Sequence, residues 1–289
     1  MISITEINKN IQEAIRKTRK SLTCNMKECD YTSVFAVEFP NVLKKSGTLP
    51  HNIKFGGGFI HQSPIVRFAS IHKQSGCELG DLLIFVRKTT IDGERFNAAL
   101  VQLKRSKNSS VTITRDGDLK QLYLYEQWPC FSISQLGCQY NIFPKNSING
   151  AVYGIIYEKK NNAVQFYTSE PMTSMQCRSE QTLGRFIGNM IDWQAGRVVS
   201  DEKSKDSDEW SRLIWDILRL VSHKIFNKDS IYSNQSKLTF NFLQQLLDNP
   251  LNANNNNAHS VGQNNNEEKN SGFGILLVDV DERERSLEQ

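Results

Sequence analysis

The chain has 289 residues, of which 38% are hydrophobic and 23% charged, and a formal net charge of +4. That balance excludes a chain too polar to bury a core and suits one elaborated domain, or one domain with a small addition. The mild positive charge permits a polyanionic partner without requiring one. No apolar run approaches the roughly 20 residues of a membrane span, and residues 1–6 lack the apolar stretch of a secretory leader. The six cysteines have no metal-ligand spacing; the nearest pair, Cys24 and Cys29, has no matching second half. Reduced thiols in a soluble, cytoplasmic protein without structural zinc are the expectation.

Ser3 and Glu6 form a capping-box pattern, and Ile4, Ile7, Ile11 and Ile15 follow at helical spacing, so the chain opens on an amphipathic helix. Its basic end, Arg16 to Lys20, suits the helix dipole. Residues 32–43 can form a helix or a strand, with Pro40 opposing an uninterrupted helix. Gly56-Gly57-Gly58 lacks the Lys-Ser/Thr of a phosphate loop and reads as a turn before the strand at Ile65. His61 and His72 flank that strand and read as surface or hydrogen-bonded histidines.

The most informative stretch comes next. Residues 77–86 and 98–105 are two β-type runs on either side of Asp92-Gly93, the pattern of an antiparallel hairpin. With the turn centred on Asp92 and Gly93, Asp81 faces Lys104 and Leu83 faces Gln102. Period-2 alternation puts Gln102 and Lys104 on one face, and Val101 and Leu103 on the other. An acid, an amide oxygen and an ammonium then converge at one end of the hairpin. Directly opposed Cβ atoms lie about 4.5–5.5 Å apart.

Asp81, a hydrophobic strand and then Gln102-Leu103-Lys104 resemble the PD-(D/E)xK motif of the restriction-endonuclease-like nucleases. The resemblance covers residues 55–131 and departs from the pattern twice: Gly80 stands where Pro precedes the acid, and Gln102 replaces the second carboxylate. It implies an α/β fold, a mixed central β-sheet flanked by helices. It also implies an Mg²⁺-dependent endonuclease, with Mn²⁺ as a substitute, that hydrolyses DNA phosphodiesters in restriction or defence. Asp81 and Gln102 would hold the metal, helped by the Leu103 carbonyl, and Lys104 would position the attacking water. Glu78, three residues before Asp81, would add a carboxylate, because hard cations favour several oxygen ligands. Family members also carry an acid on an early helix; Glu38 is the candidate, against the plainer reading of an ordinary exposed carboxylate, since nothing local fixes its direction. A homodimer or an activating partner protein would complete the system. Two other readings stand beside this one. The chain can be a catalytically silent module of the same fold that binds nucleic acid or protein, or Asp81 and Lys104 can be a plain cross-strand ion pair worth roughly 0.2–1 kcal/mol.

Arg105 and Lys107 follow as a basic cluster suited to solvent or to phosphate. Residues 118–128 read as a helix stopped by Pro129, its aromatics as core. Residues 151–157 and 163–167 bracket Asn161-Asn162 as a second hairpin. From Thr182 the period turns helical: one helix from Leu183 with Gly196 as its stop, a charged loop at 200–208, then helices over 210–226 and 238–247. These elements suggest a nuclease core over 1–175 and a helical appendage over 176–250. The asparagine-rich residues 251–271 have little to bury and are expected to be disordered. Residues 272–289 hold a strand that returns to the sheet edge, and a tail in which Asp279 and Asp281 read as strand-end acids.

Overall fold

The computed structural model describes residues 26–47, 49–61, 63–70, 73–145, 150–158, 164–171, 176–178, 181–226, 237–247 and 272–283, with a few helical positions between 5 and 17. The rest of the foreseen amino-terminal helix, His72, residues 161–163 and the asparagine-rich segment 251–271 lie outside them. In chain order the strands are β1 (Ile53–Ile60), β2 (Ile65–Ser70), β3 (Lys73–Glu78), β4 (Leu82–Thr90), β5 (Gly93–Ser106), β6 (Ser110–Thr112) and β7 (Phe131–Ile133). They continue with β8 (Gln139–Tyr140), β9 (Ala151–Glu158), β10 (Val164–Ser169), β11 (Gln176–Arg178), β12 (Gln181–Thr182), β13 (Arg197–Val199) and β14 (Phe273–Asp281). The helices are α1 (Glu28–Ser33), α2 (Phe39–Ser46), α3 (Asp116–Gln127), α4 (Leu183–Ile191), α5 (Glu209–Phe226) and α6 (Lys237–Leu246).

The centre is a mixed eight-stranded sheet in the order β1-β14-β4-β5-β9-β10-β12, with β13 joining β5 at residues 96–98. β14 runs parallel to β4 and β9 parallel to β5; the remaining pairings are antiparallel. Helices cover both faces. One face packs on α3, α5, α6 and the small sheet β3-β2-β7-β8; the other packs on α1, α2 and α4.

The predicted hairpin forms, but in a different register. Thr90 faces Gly93 and Leu82 faces Val101, so Ile91 and Asp92 make the loop. The Thr90 hydroxyl accepts the Asp92 N–H at 3.2 Å and donates to the Gly93 carbonyl at 3.1 Å. That local bonding draws the turn one residue earlier, and Gly93 absorbs it at φ 127°. Paired positions shift by two, so every side chain keeps its face.

The carboxy-terminal strand departs from its expected place. β14 is not an edge strand: it lies between β1 and β4, paired along its length on both sides. Its run Ile275-Leu276-Leu277-Val278 is fully buried, Ile275 and Leu277 in one core and Leu276 and Val278 in the other. An apolar run without alternation is what burial on two faces demands.

The glycine run Gly56-Gly57-Gly58 is likewise strand rather than turn, being part of β1. A Cβ at Gly57 would lie 2.1 Å from the Ala36 carbonyl oxygen. Ala36 belongs to a π-helical turn, Val34–Glu38, that joins α1 to α2. Its carbonyl would bond to the N–H of residue 40 in a regular helix, and Pro40 has none. The helix therefore continues through the proline by widening one turn, and the glycines let it approach the sheet.

The segment read as a helical appendage, packing on the sheet or mediating dimerisation, packs on the sheet. Trp210 and Trp215 on α5 are fully buried, Trp215 against Phe85 and Phe96 at centroid distances of 5.5 and 5.3 Å. The second hairpin forms between β9 and β10, and the Thr182 side chain caps α4 by accepting the Arg185 N–H at 3.2 Å. α4 ends at Ile191, ahead of Gly196.

Candidate functional site

Three elements meet at one end of the sheet: the β3–β4 connection, the second half of β5, and the amino-terminal part of α3. Asp81 is held by backbone on both sides, its N–H donating to the Val101 carbonyl at 3.0 Å and its carbonyl accepting the Gly274 N–H at 2.8 Å. Oδ2 of Asp81 then accepts the Leu103 N–H at 2.6 Å. Asp81 and Gln102 are 6% and 3% exposed, so the pair sits inside the protein rather than on a solvated strand end.

Lys104, next but one along β5, is also largely buried, its side chain 13% exposed. Its ammonium donates to Oδ1 of Asp118 at 2.6 Å. The simple Asp81–Lys104 ion pair is thus replaced: the direct partner of Lys104 is an acid of α3. Glu28, at the start of α1, approaches from the other side of the sheet and accepts the Arg105 N–H at 3.0 Å. Glu28 also acts on the Lys104 charge. Glu38 is exposed on the π turn, in keeping with an ordinary solvated carboxylate.

α3 braces the arrangement. Asp118, Gln121 and Tyr125 recur at helical spacing on one side of it. Nε2 of Gln121 donates to the Glu78 carbonyl at 3.0 Å and to Oε1 of Gln102. The Tyr125 hydroxyl donates to the Leu79 carbonyl at 2.7 Å. Two successive carbonyls before Asp81 are therefore fixed by two side chains one helical turn apart. Gly80 belongs to this fit, since a Cβ there would lie 2.8 Å from the Tyr125 hydroxyl.

Electrostatically the site is overloaded with acids. Burial pushes the Asp81 carboxyl well above its usual range, and the Glu78 charge adds to the rise; the Leu103 N–H and Lys104 oppose it. Burial likewise raises Glu78, against a lowering pull from Lys104. Burial alone would depress Lys104, but Glu28, Asp118 and Asp81 together raise it, so it stays an ammonium. Tyr125 is held far above its ordinary range by burial and remains a neutral donor. The Lys104 ammonium thus pairs with Asp118 and interacts electrostatically with Glu28, Glu78 and Asp81.

The oxygens that could serve a cation are the Asp81 and Glu78 carboxylates, the Gln102 amide oxygen and the Leu103 carbonyl. Among the described residues, no group of three or more His, Cys, Asp or Glu side chains is placed to hold a metal ion. A site with two carboxylates and neutral oxygens matches a small, hard cation that keeps much of its water, which is the habit of Mg²⁺. The donor types, all hard oxygens, are those such an ion accepts, with Oε1 of Gln102 already receiving the Gln121 amide.

Asp81, Gln102 and Lys104, which the hairpin pattern grouped, lie at this end of the sheet, and Glu78, the separate candidate on the connection before Asp81, is close enough to act on the Asp81 charge. It does not bring in His61, which is exposed and packs edge-on against Phe59, nor Asp279, which forms a two-pronged pair with Arg87 at 2.9 and 3.1 Å. Asp281 pairs with Arg283. Glu28, Asp118, Gln121 and Tyr125 were missed as site residues. The polar stripe Asp118, Gln121, Tyr125 was visible in the sequence; nothing in the chain signals Glu28.

No protein-family model, no curated protein and no solved structure matches this chain. No helix among the described residues is long and apolar enough to cross a membrane.

Proposed function

We propose that the chain is a Mg²⁺-dependent endonuclease of the restriction-endonuclease-like class, with DNA as substrate and Mn²⁺ able to replace Mg²⁺. The observation that carries this reading is the convergence of Asp81, Gln102, Lys104 and Glu78, with carboxylates in excess of ammonium. A divalent cation would relieve that excess and supply Lewis-acid activation of the phosphodiester and of water.

The residues divide the remaining work. Asp81 and Glu78 would provide the charge that retains the cation, with Oε1 of Gln102 and the Leu103 carbonyl as neutral ligands. Asp118 holds Lys104 at 2.6 Å, and from there the ammonium still pulls on the Asp81 charge without pairing with it. There it would orient the attacking water and stabilise charge that develops on the phosphoryl oxygens. Gln121 and Tyr125 keep the β3–β4 connection in place, so that the carboxylates need no rearrangement during reaction.

One observation favours a second reading, a catalytically silent module of this fold that binds nucleic acid or protein. Oε1 of Gln102 already accepts from Gln121, and Lys104 is already paired with Asp118, so two of the proposed working groups are occupied. A plasmid-nicking assay decides between the two. The nuclease reading expects cleavage with Mg²⁺ that a chelator stops. Retained nucleic-acid binding with no cleavage under any divalent cation would transfer the assignment to the silent module.

A further inference from the structure

The stretch between Lys104 and Asp118 has a charge pattern that the folding of the site does not use. Residues 104–115 contain Lys104, Arg105, Lys107 and Arg115 and no acid, and the acids that follow at the start of α3 are paired, Asp116 with Lys120 at 2.8 Å and Asp118 with Lys104. Lys104 is engaged inside the protein with Asp118, and Arg105, although exposed, is held by the Met26 carbonyl. Lys107 and Arg115 are exposed, and neither meets a carboxylate among the described residues.

Local structure presents both cations outward. Lys107 sits in the turn between β5 and β6, which Ser106 closes by donating to the Ser110 carbonyl at 2.8 Å and accepting the Asn108 N–H at 3.0 Å. Pairing of β6 with β11 in an antiparallel ribbon holds the turn's far side, with Arg178 opposite Ser110 and Gln176 opposite Thr112. Arg115 is the N-cap residue of α3. The helix dipole disfavours a cation there, so the helix gains nothing from that charge. Asn108, Ser109, Ser110, Thr112 and Thr114 are exposed between the two cations and add hydrogen-bond donors.

We infer that the β5–β6 turn, β6 and the start of α3 form an arm that grips the phosphodiester backbone of a nucleic acid, with Lys107 and Arg115 as its phosphate contacts. Both ends of the arm are anchored on the candidate site, Lys107 three positions after Lys104 and Arg115 three positions before Asp118. A strand held by the arm therefore lies alongside Asp81. The placement rests on the nuclease reading, but the binding does not require cleavage. Serine and threonine hydroxyls with isolated cations suit phosphate oxygens and carry no base specificity.

The test is binding of a fluorescent 30-base-pair DNA by the full chain in chelator, titrated between 50 and 200 mM salt and repeated with a Lys107→Gln/Arg115→Gln variant. Each phosphate contact contributes about 0.9 to the slope of log affinity against log salt on duplex, so the double variant should lose about 1.8. Circular dichroism and Mg²⁺ titration calorimetry of the variant should match the wild type, which separates the arm from the metal site. An unchanged slope in a folded variant overturns the arm even if the protein cleaves DNA. A slope that falls as expected in a protein that never cleaves keeps the arm and removes the nuclease reading. Wild-type protein that binds vesicles of anionic phospholipid through the same two residues, and not DNA, overturns the arm in favour of a lipid surface.

Discussion

The Leu103 N–H donates to the Asp81 carboxylate at 2.6 Å, although Asp81 precedes β4 and Leu103 lies on the partner strand β5. A side chain and a backbone group thus do across the end of the hairpin what two backbone groups do elsewhere along it. The bond orients one carboxylate oxygen and leaves the other outside it. It also fixes a buried acid among other acids, from which the first prediction follows.

Asp81→Asn should stabilise the fold at neutral pH in the absence of divalent cations. The folded-state pKa of Asp81 is raised, by burial first and by Glu78 second. An acid shifted that way contributes stability that is fully present below its unfolded value of about 3.9, and loses it as pH rises through the folded pKa. Asparagine keeps an oxygen for the Leu103 N–H and has no charge to bury. Thermal melts from pH 4 to 8 should show the wild type weakening with pH relative to the variant, and Mg²⁺ should raise the wild-type midpoint alone. A variant less stable than wild type at pH 8 without Mg²⁺ would count against this account of the site.

Lys104→Ala and Asp81→Asn should impair cleavage by different routes. Losing Asp81 removes charge that retains the cation, because Gln102 is neutral. Losing Lys104 removes a positive charge from the same neighbourhood, so Mg²⁺ affinity should hold or improve while the chemical step slows. Removal of one preorganised electrostatic group costs about 10²–10³-fold in rate. Calorimetric titration beside a cleavage assay separates the two, and wild-type rates in both variants would end the nuclease assignment.

Gly80→Ala should destabilise the fold by about 1–3 kcal/mol through overpacking. The added methyl would lie 2.8 Å from the Tyr125 hydroxyl. Tyr125→Phe removes that oxygen and also the bond to the Leu79 carbonyl, so alone it should cost about 1–3 kcal/mol. The double variant should be more stable than the sum of the two single losses. Additive losses in chemical denaturation would show that the methyl is accommodated elsewhere.

Leu276→Ala should cost about 2–5 kcal/mol, the range for a large core side chain truncated to alanine. Leu276 is fully buried in the core of α1, α2 and α4, on the central strand β14. A loss below about 1 kcal/mol, the range of an exposed position, would refute the interior placement of that strand.

The hairpin and the face that carries Gln102 and Lys104 were legible because they are local. Two apolar runs and a short turn determine a face, and a register displaced by two residues cannot change it. The position of β14 was not legible, since pairing with β1 and β4 links residue 280 to residues 53 and 88, a relation that no local pattern expresses. The hydrophobicity of its run without alternation was nevertheless a sign of burial on two faces. The glycine run in β1 was misleading for the same reason: its cause is a carbonyl at Ala36, brought close by the fold and freed by Pro40. Glu28 was hidden because a six-residue helix whose two acids, Glu28 and Asp30, sit in its first turn has no distinguishing spacing, and only tertiary packing carries Glu28 to the end of β5.

The central location of β14 has a consequence for biosynthesis. Until residues 273–281 have emerged from the ribosome, β1 and β4 have no common neighbour, and the nascent chain carries two apolar strands with unmatched hydrogen-bonding edges. Exposed edges of that kind recruit other strands. The candidate site shares this dependence, because the Asp81 carbonyl accepts the Gly274 N–H at 2.8 Å. Translation products that stop before β14 should therefore engage chaperones or aggregate, and the site should assemble only once that strand has been inserted.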